Sequence, residues 1–504
     1  MSEIQSNNKR IAKNTLFLYF RMLFTMGVSL FTSRVVLQAL GVEDYGVYNV
    51  VGGIITMFTF INSAMVSSTQ RYLNFELASG NIKRLRNVFN TSLQIHILIA
   101  VVIIILGETV GLWFLLNKLI IPEGRMVAAM WVYQCSILAC AISILFMPYN
   151  ADIIAHEKMS AFAYISILEV SLKLVIVYLL YILPFDKLIL YALLILFVQL
   201  FIRFIYSIYC HRHFEESHFR LYIDRVLLKE MSGFAGWSFC GNLASILFTQ
   251  GLNIMLNIFF GPVVNAARGI AVQVQSAVQQ FVGGFQTAIN PQITKNYAVG
   301  NITQMHLLMF RSARFSFLLL LFISLPVLLE TNFLLNIWLK TVPQDTVIFT
   351  QIMICVSLLY TISNPCMIAN QATGNVKRYQ MIVGGFLLSI LPVSYIVLCL
   401  GAPAYSVFIV HFVIESIAQV IRMYLLKKLI DLPIVQYIKH IYIPLISTVL
   451  ISIIMPLMVH MMLDVGWLRF IVVGLTSSFS VGFSSLIIGL TKNERSFLIE
   501  KIFS

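Results

Sequence analysis

Charged residues are scarce in this chain of 504 residues, since they make up 11% of it, against roughly 25% in a soluble globular domain. Apolar residues make up 59%, and the mean hydropathy is +0.88. A soluble fold of this size cannot bury so many apolar side chains, so the surrounding solvent must be lipid. The composition therefore excludes a soluble enzyme, a disordered chain and a secreted disulfide scaffold.

Motifs for metals, nucleotides and disulfides are also missing. The seven cysteines are scattered, mostly inside apolar runs, and no two of them form a CxxC. The chain has no Walker sequence, and the segment HRHFEESH (residues 211–218) lacks the HExxH spacing, so we interpret it as a solvated linker. We therefore expect no catalytic residue, no metal site and no cofactor.

Long apolar runs are what the sequence has in abundance. They are too long and too continuous for barrel strands, which leaves helices as the spanning elements. The basic N-terminus precedes a run of about 20 apolar residues without a cleavage site, which predicts an uncleaved first span. The pattern predicts an all-α integral membrane protein with about fourteen transmembrane helices. The predicted spans are residues 14–39, 47–70, 88–116, 126–147, 161–183, 188–209, 231–259, 265–289, 315–338, 346–368, 379–400, 404–426, 441–463 and 468–490.

Lysine and arginine divide unevenly between the predicted loops. With the N-terminus in the cytoplasm, 23 of them fall in cytoplasmic segments and six in outer segments. Cytoplasmic loops carry such an excess, so the pattern predicts that both termini are cytoplasmic. The same rule, together with anionic lipid headgroups, accounts for the net charge of +13 without a nucleic-acid partner.

Three short sequence matches recur at nearly one offset. LGVEDYG after the first predicted span corresponds to FGPVVNA after the seventh, 220 residues later. ASGNI (residues 78–82) corresponds to AVGNI (residues 298–302) at the same offset. Residues 148–155 and 365–372 share a proline at one end and an alanine at the other, at an offset of 217. Matches in the same order indicate an internal duplication.

The duplication predicts two six-helix lobes, residues 1–225 and 226–430, followed by two additional transmembrane helices in residues 431–504. Because six is even, both lobes enter from the cytoplasm and form a parallel repeat. Two packed lobes with a cleft between them are the architecture of an alternating-access transporter. The alternative is an old duplication in a protein that transports nothing.

The plan of six, six and two helices resembles the multidrug/oligosaccharidyl-lipid/polysaccharide exporter superfamily, as do FTSRVVLQALGVEDYGVYNVVGG and the later ASGNIKR. Over almost its whole length the chain is most similar to the polysaccharide-transporter branch, the O-antigen flippases. The resemblance implies a MATE-like two-lobe bundle that is a flippase and not an enzyme. It implies export of an undecaprenyl-diphosphate-linked oligosaccharide from the inner to the outer leaflet, for surface polysaccharide or lipopolysaccharide O-antigen biosynthesis.

The resemblance also implies a location and partners. The location is the cell inner membrane, and the partners are the lipid-linked oligosaccharide and membrane lipid. The chain is expected to work as a monomer, alone or beside a polysaccharide polymerase. Two alternatives stay open: a multidrug or cation antiporter of the same fold, and a membrane glycosyltransferase or polymerase. Against the second, the short outer loops leave no room for catalytic carboxylates and a sugar acceptor.

Polar side chains form stripes on several predicted spans. In the eighth span, one arginine and three glutamines lie within about 40° of one another around the helix. Such stripes must face protein or water in a bilayer, and the resemblance implies that spans 1, 2, 7 and 8 line a central cavity. The alternative is hydrogen bonding between neighbouring helices. The predicted substrate-binding residues are Arg21, Arg268, Gln275, Gln279, Asn253, Asn242 and Gln286.

The charge along these spans favours an anionic substrate. Spans 1, 2, 7 and 8 contain no carboxylate, whereas a site for cationic drugs would need a buried acid. Arginine stays charged and binds phosphate through a planar fork of donors, so Arg21 and Arg268 suit a diphosphate that carries sugars. Both lie near span ends, so snorkelling to lipid headgroups is the alternative role.

Two further groups of intramembrane charges are candidates for ion coupling. Glu169 and Lys173 lie four residues apart on the fifth predicted span, a spacing that suits a local ion pair. His411 and Glu415 share a face of the twelfth, and intramembrane His and Glu relay protons in pumps. The alternative is a neutralised pair that holds helices together.

Overall fold

The structure is a computed structural model, and all regular structure in the residues that it describes is helical. These residues are 14–29, 31–32, 35–36, 39–41, 44, 47–48, 51, 60–117, 121, 124–218, 224–260, 262–339, 342–491 and 494–495. The chain divides into two compact units, Met1–Phe239 and Cys240–Ser504. The predicted lobes of residues 1–225 and 226–430 and the additional pair of helices in residues 431–504 stay a prediction.

The first unit contains the helices up to and including the first part of α8. Their bounds are α1 (residues 14–29), α2 (Phe60–Ser79), α3 (Ile82–Asn117), α4 (Met126–Leu145), α5 (Met147–Ala155), α6 (Met159–Ile182), α7 (Lys187–His213) and α8 (Arg225–Phe260). A π-helical turn interrupts α3 at Gly107–Gly111. A Cβ on Gly107 would lie 2.9 Å from the Ile137 side chain, so glycine allows α3 and α4 to pack closely there.

The second unit holds the rest of α8 and the helices that follow. Their bounds are α9 (Pro262–Ala298), α10 (Ile302–Leu329), α11 (Thr331–Trp338), α12 (Thr346–Thr373), α13 (Lys377–Cys399), α14 (Ser406–Ile430), α15 (Ile434–Met462) and α16 (Trp467–Gly489). Helix α9 packs against α10 and α12, and α12 packs against α14. The polar side chains of α9 therefore have α10 and α12 as neighbours.

Ten helices in the described part of the chain are long and apolar enough to cross a membrane. Each overlaps one of the fourteen predicted spans. The predicted spans 231–259 and 265–289 lie inside α8 and α9, which have 36 and 37 residues. The predicted spans 14–39 and 47–70 are partly outside the described residues. The chain is thus a multi-pass, all-α membrane protein, as predicted.

Apolar and polar side chains are distributed as a lipid solvent requires. Large apolar side chains such as Met462 and Ile258 are 80% and 74% exposed. Hydroxyl side chains such as Ser316 and Ser357 are fully buried. A bilayer offers no hydrogen bonds to a lipid-facing hydroxyl, so polar groups turn toward neighbouring helices.

The duplicated Gly-Asn loops have the same backbone in both units. Gly80 and Gly300 have φ values of +72° and +75°, in the left-handed region that favours glycine. Asn81 and Asn301 then cap the next helix, and each side-chain Oδ1 accepts from the backbone N–H three residues later, at 3.0 and 3.1 Å. The ASGNI and AVGNI matches therefore mark equivalent helix connections.

The third sequence match also marks equivalent helix ends. Glu157, just after α5, has φ +58°, and Gly374, 217 residues later and just after α12, has φ +76°. The two halves differ upstream of this end. Phe146 separates α4 from α5, whereas α12 continues as one helix through Pro365. The first unit therefore has a helix break where the second unit has a continuous helix.

Helix α10 begins 13 residues before the predicted start of the ninth span. Hydropathy begins the span at residue 315 and leaves Arg311 and Arg314 outside it, and α10 continues as a helix through both arginines. Arg314 is 3% exposed, and its Nη1 donates to Glu494 Oε2 at 2.5 Å. The counter-charge comes from 180 residues later in the sequence, which no local pattern reveals.

One arginine in the first unit binds two aspartates from two other predicted loops. Arg125 donates to both carboxylate oxygens of Asp44, at 2.7 and 2.5 Å, and to Asp186 at 2.6 Å. Asp186 also caps α7 by accepting from the N–H groups of Leu188 and Ile189. Burial raises the pKa of Asp186, but the bonds from Arg125 outweigh it, so this pKa lies below its usual value. We call this group the Arg125 clasp.

Candidate functional site

The predicted stripe on α9 is formed, and its amides bind neighbouring helices. Gln275 and Gln279 each donate through Nε2 to the Ser357 hydroxyl on α12, at 3.0 and 3.1 Å. Gln286 donates to Ser316 on α10 at 3.5 Å. Gln275 and Gln279 are only half-buried, so their side chains keep surface that these helix contacts do not cover.

Arg268 lies at one end of the stripe and is nearly enclosed. It is 9% exposed, and its Nη2 donates to the backbone carbonyl of Thr249 on α8 at 2.9 Å. Its Nε is buried without a hydrogen-bond partner. Ala267 and Ala271, on the same helix, belong to an apolar core. In the described part of the chain no carboxylate lies within ion-pair distance of Arg268.

Other buried arginines of the second unit do have a carboxylate. Arg314 pairs with Glu494 at 2.5 Å, and Arg422 pairs with Glu415 at 2.6 Å. An uncompensated buried charge is costly, so structural arginines in lipid are normally neutralised in this way. Arg268 departs from that pattern, and its guanidinium keeps donors for an anion.

The first unit holds a second cationic group around Arg21. Its guanidinium lies 4.5 Å from the centroid of the Phe162 ring and donates weakly to Ser166 at 3.4 Å. Glu169 interacts with Arg21 electrostatically, and its direct partner is Lys173, which donates to it at 2.7 Å. The predicted Glu169–Lys173 ion pair is therefore present, on α6 beside Arg21.

Two residues of α7 complete this group. Tyr206 is 2% exposed and interacts electrostatically with both Arg21 and Arg203. Arg203 donates to Ser143 on α4 at 3.2 Å. Sequence patterns did not indicate Ser166 or Tyr206, and did not connect Arg203 with Arg21. Nothing local signals these contacts, because residues 21, 166 and 206 lie on three separate helices.

Of the two predicted asparagines of α8, one has a side chain among the described residues. Asn253 is half-buried in the second unit. The Asn242 side chain lies outside the described residues. A substrate-binding role for both, as for the α9 stripe, stays a prediction.

The predicted coupling pair on α14 is divided between two environments. Glu415 accepts from Arg422 at 2.6 Å and from the Ser363 hydroxyl of α12 at 3.4 Å. His411 instead stacks edge-on against Phe248 of α8, with ring centroids 5.2 Å apart. It still interacts electrostatically with both Glu415 and Arg268. A role for His411 and Glu415 in ion coupling stays a prediction.

These side chains offer a limited set of chemistry. The arginines supply fixed positive charge and forked donors, and the glutamines supply neutral donors and acceptors. Both types bind phosphate and sugar hydroxyls well, and neither activates a nucleophile. The described parts of both groups are thus suited to binding.

Comparisons with known proteins agree with this architecture. The family described as polysaccharide biosynthesis protein matches residues 11–297. No curated protein matches the chain. Among solved structures, an outward-facing multidrug resistance MATE family transporter of the MOP superfamily has a TM-score of 0.70 and 14% identity, covering 84% of this chain and 96% of that chain.

Two further solved structures give the same result. A MATE protein in the straight conformation has a TM-score of 0.71 and 14% identity. A MOP superfamily transporter from Pyrococcus furiosus, described by a binding pocket of reverse polarity that suggests a different function, has a TM-score of 0.67 and 14% identity. Each comparison covers 84% of this chain and 96% of that chain. At this identity the likeness establishes the fold, and the prediction of a MATE-like bundle is confirmed.

Proposed function

We propose, since the chain belongs to the polysaccharide biosynthesis protein family, that it moves a lipid-linked oligosaccharide from the inner to the outer leaflet. The family and the fold are those of membrane exporters. The substrate would carry its glycan on a polyprenyl diphosphate such as undecaprenyl diphosphate. The glycan would then be used for surface polysaccharide or for lipopolysaccharide O-antigen.

The observation that carries this proposal is the buried Arg268 without a carboxylate. A protein that keeps a charge in an apolar environment benefits when an anionic ligand neutralises it. A diphosphate supplies several oxygens to the fork of one guanidinium. The half-buried amides of Gln275 and Gln279, on the same face of α9, would bind sugar hydroxyls.

Movement of the substrate would follow alternating access, the mechanism of transporters built from parallel repeats. The charged headgroup and glycan would contact the arginine and amide side chains, while the polyprenyl tail stays in lipid. The cationic group around Arg21 is a second place where the diphosphate would bind during transfer. Its positive charge exceeds its negative charge, because Arg21, Arg203 and Lys173 face the single carboxylate of Glu169.

The competing function is a multidrug or cation antiporter. A cationic drug would need an acid in the binding region, and the predicted spans 1, 2, 7 and 8 carry none. The Pyrococcus furiosus transporter is described as having a binding pocket of reverse polarity, so the superfamily includes pockets of differing charge. A membrane glycosyltransferase is disfavoured by the short predicted outer loops.

The proposal carries expectations for location and partners. We expect the inner membrane, with both termini in the cytoplasm as the charge distribution predicts. The chain would act as a monomer. A polysaccharide polymerase on the outer side would consume the exported repeat unit.

A flipping assay in proteoliposomes tests the function. One leaflet is loaded with a fluorescent polyprenyl-diphosphate oligosaccharide, and its accessibility to an impermeant quencher is followed over time. We expect protein-dependent translocation, reduced at least tenfold in Arg268→Ala and in Arg21→Ala, because each change removes donors to the diphosphate. A tenfold loss corresponds to about 1.4 kcal/mol of binding or transition-state free energy.

Arg225→Ala is the matched control, since Arg225 is an exposed arginine at the start of α8. It should translocate like the wild type. Wild-type rates in both Arg268→Ala and Arg21→Ala would contradict the assignment of the anion site. Export of cationic dyes with no movement of the glycolipid, under an imposed pH or sodium gradient, would favour the antiporter instead.

A further inference from the structure

A compact group of two carboxylates and one imidazole lies at one end of the first unit, apart from the cationic group around Arg21. It consists of Asp152 on α5, His156 at the end of that helix, and Glu216 in the short turn after α7. One ligand atom from each of the three lies within 4.8 Å of the other two. We call this group the Asp152 triad. We propose that it binds a divalent transition-metal ion, for which Zn²⁺ is the best match.

Asp152 is fully buried, and among the described residues its ion-pair partner is His156, at a distance too long for a hydrogen bond. Its side chain is completely buried, and neither of its carboxylate oxygens has a hydrogen-bond partner. Oδ1 points toward the triad and lies 3.8 Å from His156 Nε2. The carboxylate of Glu216, 3% exposed, faces it closely enough for repulsion. Two facing carboxylates in an apolar interior are stabilised by a cation between them or by a shared proton.

Three other buried carboxylates in this protein each pair with an arginine. Glu330 is bound by Arg469 and His460, and Glu415 by Arg422. Glu494 is bound by Arg314. Each of these acids has a guanidinium at 2.9 Å or less. Among the described residues, no arginine or lysine lies within ion-pair distance of Asp152.

The donor atoms of the triad and their rigidity suit zinc. Zn²⁺ is bound at about 2.0–2.2 Å by imidazole nitrogen and carboxylate oxygen, commonly by three protein ligands with a fourth position open. His156 Nε2 and Glu216 Oε1 are 2.5 Å apart, so both would separate slightly to become zinc ligands. The Phe214 ring stacks on the His156 imidazole at 3.9 Å and 6°, which fixes the plane of the ring. Mixed nitrogen and oxygen donors favour Zn²⁺ over Mg²⁺.

The duplication shows that a helix end at this place can form without such a triad. At the offset of 217 that pairs Glu157 with Gly374, Asp152 corresponds to Ala369 and His156 to Thr373. The equivalent helix end in the second unit therefore forms without an acid or an imidazole. Of the two corresponding helix ends, the one in the first unit carries the acid and the imidazole.

Metal binding would attach the turn Glu215–Ser217 to the end of α5. This turn belongs to the segment HRHFEESH, which its sequence spacing alone predicts to be a solvated linker without a metal site. The structure instead buries Glu216 and places it beside two residues that lie 60 or more positions earlier. The site therefore arises from tertiary contacts that a spacing rule does not detect.

Measuring the metal bound per protein chain in detergent tests the site. After treatment with EDTA, the protein is dialysed against Zn²⁺ or Mn²⁺ with excess Mg²⁺, and bound metal is measured by mass spectrometry. We expect about one Zn²⁺ per wild-type chain and a rise in the thermal unfolding midpoint. Asp152→Asn and His156→Gln should each reduce bound zinc to background and abolish that rise. His213→Gln, an exposed histidine in the same segment, is the matched control and should bind like wild type.

X-ray absorption of the zinc-loaded wild type keeps the test informative if Asp152→Asn does not fold. It should show one imidazole among light oxygen and nitrogen ligands. Absence of bound Zn²⁺ and Mn²⁺ in the wild type would overturn the proposal, and the facing carboxylates would then share a proton. Equal zinc binding by the wild type and by both triad variants would overturn it as well. None of these readouts uses transport, so they are independent of the proposed flipping activity.

Discussion

At the scale of single residues, buried charges fall into two kinds that the sequence alone does not separate. Arg422 and Arg268 both lie in predicted spans of the second unit and both are buried, at 2% and 9% exposure. Arg422 is held by Glu415 and Ser363, whereas Arg268 is held by a backbone carbonyl. The first arrangement joins helices α12 and α14. The second leaves a charge that a ligand can use.

The two kinds should respond oppositely to substitution. Glu415→Gln leaves Arg422 buried without its counter-charge, so we expect a loss of about 3 kcal/mol in stability. Arg268→Met removes an uncompensated charge and should leave the unfolding midpoint unchanged or raise it, while flipping is lost. Thermal unfolding of the purified variants, read beside the flipping assay, checks both. A strongly destabilised Arg268→Met, together with wild-type stability in Glu415→Gln, would reverse our assignment of the two arginines.

At the scale of elements, the duplicated helix connections could be predicted from the sequence, because glycine and asparagine set the backbone of their own connection. A left-handed glycine followed by an asparagine cap requires only neighbouring residues. The same reasoning did not extend to the break at Phe146, because the proline of the third match lies in a continuous helix in the second unit and beside a break in the first. The proline alone therefore does not decide between the two outcomes.

The two Gly-Asn loops should be equally sensitive to a side chain at glycine. A Cβ on Gly80 or Gly300 meets no atom within 4 Å, so the cost of alanine is purely the left-handed backbone. We expect each substitution to destabilise by about 1 kcal/mol. Gly233→Ala is the control, since Gly233 is helical and equally uncrowded, and alanine there should be neutral or stabilising. Thermal unfolding measures all three, and a harmless Gly80→Ala would argue against the shared loop conformation.

At the scale of the whole molecule, the sequence predicts the type and position of the long apolar helices well and their contacts poorly. Ten predicted spans coincide with long apolar helices because lipid demands continuous apolar runs. The contacts Arg314–Glu494 and His156–Glu216 join residues 180 and 60 positions apart. Such pairs carry no periodic signal. The residue types at the candidate site were therefore predictable, whereas their partners were not.

The orientation of the molecule is open to a direct test. In a variant without the seven native cysteines, Arg212→Cys and Leu400→Cys are exposed single sites at the ends of α7 and α13. The distribution of lysine and arginine predicts cytoplasmic labelling at residue 212 and outer labelling at residue 400. An impermeant maleimide applied to intact and to permeabilised cells distinguishes the two sides. Labelling of both from one side would contradict the predicted topology.

The Arg125 clasp has a consequence for how the first unit can deform. Asp44, Arg125 and Asp186 lie in three separate predicted loops, and the charge pattern predicts that all three loops face the outer side. A single guanidinium therefore acts as a common anchor for them. Spreading any two of these loops apart would break charge-assisted hydrogen bonds. On that side the first unit should tilt as one body, and any bending within it should begin at the opposite end.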